Sequence, residues 1–154
     1  MMRTWLAQPH VRAWWGDPDD QIRLIDADMG TAPVDMRIVW FEDRPFAYIQ
    51  DYPAHHWPMP HYAAFPAGTR AVDTFLGDPA MLGRGHGAGY LRQRAAKLRR
   101  RYRAVVVDPD VTNDRAIVAY RSAGFHGETT ALNEDGEDVL ILEFTGVEPG
   151  GEPR

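Results

Sequence analysis

The run Leu82-Gly83-Arg84-Gly85-His86-Gly87-Ala88-Gly89 restricts the folding options of this chain more than any other stretch. Its four alternating glycines leave backbone N–H groups with no side chain over them. Tyr90 to Tyr102 then reads as a helix, because Leu91, Ala95, Leu98 and Tyr102 recur at spacings of three and four and form one apolar stripe. A glycine loop that opens a helix turns N–H donors and a positive dipole end toward its occupant, so a phosphate or pyrophosphate is the expected guest. A flexible glycine-rich loop without a ligand is the competing reading. The loop has no Gly-x-x-x-x-Gly-Lys-Ser/Thr pattern, which argues against a P-loop nucleotidase. Gly83-x-Gly85-x-x-Ala88 fits the dinucleotide fingerprint, with Asp108 near the expected acidic position. Two features oppose it. Gly77-Asp78-Pro79-Ala80-Met81 stand between the preceding strand and the Leu82–Gly89 run, where that fold needs a tight turn. Too little chain also follows Asp108 to complete a six-stranded parallel sheet.

A chain of 154 residues, 44% apolar, accommodates one domain with a real core. We expect a single domain over residues 1–146 and a disordered tail over 147–154. The absence of cysteine excludes disulfides, cysteine-ligated metals and a thiol nucleophile. No apolar run is long enough to span a membrane and no signal peptide is present, so a soluble cytoplasmic protein is expected. The net charge of −5 argues against nucleic acid and suits a cationic substrate. The basic run Lys97 to Arg103 reads as cations at a helix C-terminus.

In chain order, Thr4 is a candidate cap for a helix from Trp5 to about Trp15, stopped by Gly16. Trp14 and Trp15 point about 100° apart on a helix, so one suits the core and the other a pocket wall; both as packing residues is equally consistent. Pro18-Asp19-Asp20 starts a second helix with Gln21 to Met29 as its body. Met36–Phe41 and Phe46–Tyr52 form a hairpin about Glu42-Asp43-Arg44-Pro45. Pro53 to Gly68 is aromatic and proline-rich, and reads as a loop that lines or covers a site. Its His55, His56 and His61 lack a helical i, i+4 spacing and an interleaved acid, which disfavours a metal site. Arg70 to Leu76 is a strand with Asp73 in its middle, where a carboxylate needs a partner or a task. Ala104 to Val107 is a short buried strand, Asn113 to Ala123 a helix closed by Gly124, and Phe125–Leu132 with Asp138–Phe144 a final hairpin.

This order of elements, together with Gly83-Arg84-Gly85-His86-Gly87-Ala88 and Asp108-Pro109, Asn113, Arg115-Ala116, Tyr120 and Ala123-Gly124-Phe125, resembles the GCN5-related N-acetyltransferase (GNAT) superfamily. That family usually carries Gln or Arg where Leu82 stands. Trp5-Leu6, Pro9-His10, Trp14-Trp15-Gly16, Ala47 to Tyr52, Val72-Asp73, Asp108-Pro109 and Glu134-Asp135-Gly136 narrow the resemblance to the aminoglycoside 6′-N-acetyltransferases. The resemblance implies an α+β architecture, a mixed sheet of about six to seven strands with two parallel strands splayed apart and helices flanking it. It implies acetyl-CoA as co-substrate, bound by Thr74, Phe75, Leu82, Gly83, Arg84, Gly85, His86, Gly87, Ala88, Asn113, Ala116 and Tyr120. Trp14, Trp15, Tyr48, Asp73, Asp108 and Asp135 are the implied acceptor residues, with Asp73 as base or ammonium anchor and Tyr120 as the acid toward the thiolate. The implied partner is a small-molecule amine, with no nucleic acid or membrane partner, and the protein is a monomer or homodimer. A siderophore-biosynthesis acyltransferase acting on a lysine- or ornithine-derived hydroxylamine is the alternative enzyme. A non-catalytic acyl-CoA sensor is the alternative outside enzymes; such a domain would lose Asp73 and Tyr120.

Overall fold

The computed structural model describes residues 1–146, so the expected disorder of 147–154 lies outside the described residues. Three short helices come first: α1 (Met2–Leu6), α2 (Pro9–Trp15) and α3 (Pro18–Asp28). The single helix expected from Trp5 to Trp15 is therefore two. Pro9 has no N–H and forces Gln8 into extended backbone (φ −61°, ψ 136°), which breaks the helix there. Thr4 consequently lies inside α1 and caps nothing. Gly16 stops α2 at φ 86°, as its position suggested. Asp17 caps α3 by accepting the N–H groups of Asp19 and Asp20.

The sheet consists of β1 (Asp35–Phe41), β2 (Arg44–Pro53), β3 (Thr69–Leu76), β4 (Ala104–Val107), β5 (Phe125–Leu132) and β6 (Asp138–Phe144). Its spatial order is β1-β2-β3-β4-β6-β5. All neighbours are antiparallel except β3 and β4. A single parallel pair among the described strands rules out the dinucleotide-binding sheet, whose strands are mostly parallel. That pair joins only Thr69 to Ala104, Arg70 to Val105 and Ala71 to Val106. Beyond Ala71 the two strands part, and β3 continues to Leu76 with its β4-side edge open. This is the expected splay.

Between β3 and β4 lies α4 (His86–Arg99), and between β4 and β5 lies α5 (Asp114–Ala123). The helix after the glycines begins four residues before the expected Tyr90, so His86, Gly87, Ala88 and Gly89 are its first turn. Glycine is a poor helix former, but a well-packed stripe outweighs its cost: Leu91, Ala95 and Leu98 are buried with Ile49, Val72 and Val105. Tyr102, expected on the same stripe, lies beyond the helix end and is half-buried.

Strand alternation gives the sheet two faces. Ile49 and Val72 sit under α4 on one. On the other, Tyr48 pairs with Phe75 and Gln50 with Asp73. Helices α1 to α3 cover the Tyr48–Phe75 end of this face, where Trp5, Leu6, Val11 and Ile25 pack with those two rings. The Gln50–Asp73 end is left uncovered, and the cavity described next begins there.

Candidate active site

Five structural segments converge on a cavity of about 750 Å³, one of them Trp57, Pro58 and Met59 of the loop after β2. The α2–α3 region contributes Trp14, Trp15 and Asp28; β2 and β3 contribute Gln50, Tyr52, Asp73 and Thr74. The chain after β4 contributes Asp108, Asp110, Asn113, Ala116 and Tyr120, and the β5–β6 turn contributes Glu134, Asp135 and Glu137. The turn reaches the β4 end because Leu140 N–H donates to Pro109 O and Val111 N–H to Asp138 O. Seven of the lining residues are carboxylic acids and none is Lys, Arg or His. A wall of one sign attracts a cation, which would also relieve the repulsion between Asp73 and Asp108.

Asp73 is the most perturbed of the seven. Its carboxyl is pushed up to about 7, first by burial and then by the charge of Asp108. Hydrogen bonds from Gln50 and Tyr52 act in the opposite sense. Gln50 Nε2 donates to Asp73 Oδ2 at 3.0 Å, and Tyr48 Oη donates to Gln50 Oε1 at 2.8 Å. A carboxyl poised near neutrality in a cleft is suited to exchange protons. Asp108 is held by His61, whose Nε2 lies 2.7 Å from its Oδ2. Tyr120 lies at the floor of the cavity with its ring edge against Phe125. Burial, and then the charges of Tyr90, Asp73 and Asp108, keep its phenol well above the ordinary tyrosine value. It therefore retains its proton throughout the neutral range.

Of the acceptor residues expected from sequence, Trp14, Trp15, Asp73, Asp108 and Asp135 line this cavity. Tyr48 does not. It is buried under Trp15 (ring centroids 6.4 Å apart) and reaches the site only through Gln50. Thr74, Asn113, Ala116 and Tyr120, expected at the co-substrate, line the cavity too. Phe75 does not, because Trp15 stacks edge-on over its ring at 5.0 Å; only its backbone, on the open edge of β3, is available. Leu82 to Ala88 stand outside this cavity, at and before the start of α4.

There the backbone forms a cradle. Gly83 and Gly85 take φ values of 72° and 77°, in the left-handed region. A Cβ on Gly83, Gly85, Gly87 or Gly89 would point into open space. The first α4 residue to bond back along the helix is Gly89, to Gly85 O, so the N–H groups of His86, Gly87 and Ala88 have no intrahelical acceptor. Open space, bare N–H groups and a helix N-terminus fit a pyrophosphate.

Sequence reasoning missed Gln50 and Tyr52 as site residues, although both share a face with Tyr48 at a period of two. It also missed Glu134, Glu137, Asp110 and Asp28. The three loop histidines part company: His55 meets Tyr62 O, the His56 ring stacks on Trp57, and His61 faces Asp108. Among the described residues, no group of three or more His, Cys, Asp or Glu is placed to hold a metal ion. No helix among them is long and apolar enough to cross a membrane.

The family model described as an acetyltransferase (GNAT) domain matches residues 1–131. Aminoglycoside N(6′)-acetyltransferases type 1 from Klebsiella pneumoniae and Serratia marcescens are each 27% identical over 157 residues. Each match covers 93% of this chain and 76% of the relative. Among solved structures, AAC(6′)-Ib in complex with ribostamycin and coenzyme A superposes with a TM-score of 0.80 at 26% identity. The same enzyme in complex with paromomycin and acetyl-CoA gives 0.79 at 26%. Both superpositions cover 94% of this chain and 86% of the other.

Proposed function

The chain belongs to the acetyltransferase (GNAT) domain family, and on that premise we propose that it transfers acetyl from acetyl-CoA to a primary amine of an aminoglycoside, at the 6′ position. The observation that carries the acceptor is the cavity wall of seven carboxylates with no basic residue among its lining. A polyammonium sugar relieves the repulsion in that wall, and Trp14, Trp15 and Trp57 offer apolar faces to its rings. A neutral hydroxylamine acceptor of the siderophore type gains nothing from such a wall.

Acetyl-CoA supplies the activated acetyl thioester. The Gly83–Ala88 cradle holds its pyrophosphate, and the open edge of β3 beyond Ala71 lines the way to Asp73. Asp73 takes the proton from the acceptor ammonium, which frees the nitrogen lone pair for attack. Gln50 and Tyr48 orient its carboxylate. Tyr120 gives its proton to the departing thiolate, a role suited to a phenol that stays protonated, and the second proton shed by the acylated nitrogen restores the phenol. With no cysteine in the chain, transfer is direct.

The test is thiol release from acetyl-CoA against aminoglycosides, polyamines and hydroxylated amino acids. Turnover of aminoglycosides, with KM rising as salt rises, is expected. Efficient acetylation of a neutral or anionic acceptor, with aminoglycosides neither turned over nor competing, would reject it. The cradle has its own test. Gly85→Val places a β-branched residue at φ 77° and a side chain in the phosphate space, and should weaken coenzyme A binding by about tenfold or more. Calorimetric titration of the folded variant checks this; an unchanged Kd would remove the phosphate from this loop.

A further inference from the structure

The His61 ring has no solvent exposure, and both of its nitrogens face carboxylates. Nε2 stands 2.7 Å from Asp108 Oδ2, while Nδ1 stands 3.9 Å from Glu134 Oε2 and has no hydrogen-bond partner. A neutral imidazole has one N–H. Spent on Asp108, it leaves a buried Nδ1 lone pair turned toward an anionic oxygen. The imidazolium presents an N–H to each side and removes that conflict. The charged and titratable groups around the ring are Asp108 at the end of β4, Glu134 in the β5–β6 turn, Asp73 on β3 and the adjacent Tyr62, whose ring is 4.2 Å away. Burial opposes charging of the ring, but the Asp108 hydrogen bond and the three carboxylates outweigh it, and the ring titrates above the ordinary histidine value.

This arrangement bears on the reaction through Asp108. After burial, the charge of Asp108 is the main influence that holds Asp73 protonated. A cation in contact with Asp108 offsets that charge. We propose that His61 is a positioning residue of the acetyl-transfer site: an imidazolium that ties Asp108 to the Glu134 turn and tempers the negative charge Asp73 feels. This rests on Asp73 as the proton acceptor of the preceding section. His61 touches neither acceptor nor acetyl-CoA in this scheme, and acts through Asp108 and the Glu134 turn.

Titration of the full chain by ring-15N NMR, without acceptor, tests the linkage directly. Both His61 nitrogens should carry protons at pH 7. Asp108→Asn should lower the midpoint by about one unit, as for loss of one contacting charge, and Glu134→Gln by less. The Glu134 substitution lies in an exposed turn and serves if Asp108→Asn does not fold. A ring that is neutral at pH 7, or a midpoint that neither variant moves, overturns the proposal. Kinetics supply the second arm. His61→Gln keeps an N–H donor for Asp108 without the charge, and His61→Ala removes both. Each should move the acid limb of kcat/KM upward by roughly half a unit to one unit, with the plateau of the Gln variant within about threefold of wild type. A merely structural histidine would lower the plateau and leave the limb in place, which overturns the proposal. If the wild-type protein acetylates no amine, the acetyl-transfer reading fails, and the ring titration still decides the His61 linkage.

Discussion

Asp73→Asn should lower kcat/KM for an aminoglycoside acceptor by about 10²- to 10⁴-fold, the range for loss of a general base. The amide keeps the shape of the carboxyl and can still bond Gln50, so little else changes. Binding of coenzyme A at the α4 cradle should be unaffected. The pH profile gives the sign. Below about 7 the Asp73 carboxyl is protonated and cannot accept the ammonium proton; above it, the carboxylate can. Wild-type kcat/KM should therefore rise through pH 7, and that limb should vanish in the variant. Stability moves the other way. A carboxyl whose folded value is raised favours the folded state below the unfolded value near 4, and that contribution is lost as pH rises through about 7. Asp73→Asn should accordingly raise Tm at pH 8 relative to wild type, and not at pH 4. A variant with wild-type kcat/KM would remove Asp73 from the chemistry.

The parts of the site legible in sequence are those whose chemistry is local. Gly83 to Ala88 announce a backbone cradle because glycine removes side chains residue by residue. Asn113 caps α5 through Ala116 N–H within three residues, so that helix and its Tyr120 are placed by short-range signals. The strand ends of β4, β5 and β6 fall at the expected residues because apolar runs and turn residues mark them sharply. Contacts set by register were less accessible. Gln50 faces Asp73 only once β2 and β3 are aligned, across 23 positions of sequence. His61 and Asp108 are 47 residues apart, and nothing near either residue points to the other. Glu134 belonged to a turn quoted for Asp135, yet it is Glu134 whose side chain returns to His61. The split of the first helix is different: Pro9 is a local signal, and its missing N–H outweighs the apolar pattern that runs from Trp5 to Trp15.

Tyr120→Phe should lower kcat by about ten- to a thousandfold while leaving the Kd of coenzyme A within about twofold. The phenol lines the cavity together with Ala116 of the same helix and its N-cap Asn113, and its ring packs edge-on against Phe125. Phe keeps that packing, so the fold should hold and only the hydroxyl is lost. Burial comes first in keeping the proton on this hydroxyl, followed by neighbouring charges that include Asp73 and Asp108. On the proposed mechanism, the carboxylates that would draw the cationic acceptor also keep Tyr120 protonated. Its effect should appear in kcat because a thiolate exists only as the carbon–sulfur bond breaks, so an interaction with it strengthens on the way to the transition state. The loss should shrink with acyl donors whose leaving thiol is more acidic, since a better leaving group needs less help from a proton donor. Steady-state rates with acetyl-CoA and a thioester of lower thiol pKa separate the two cases. Equal losses with both donors would make Tyr120 a packing residue, and wild-type kcat in the Phe variant would mean that another group protonates the sulfur.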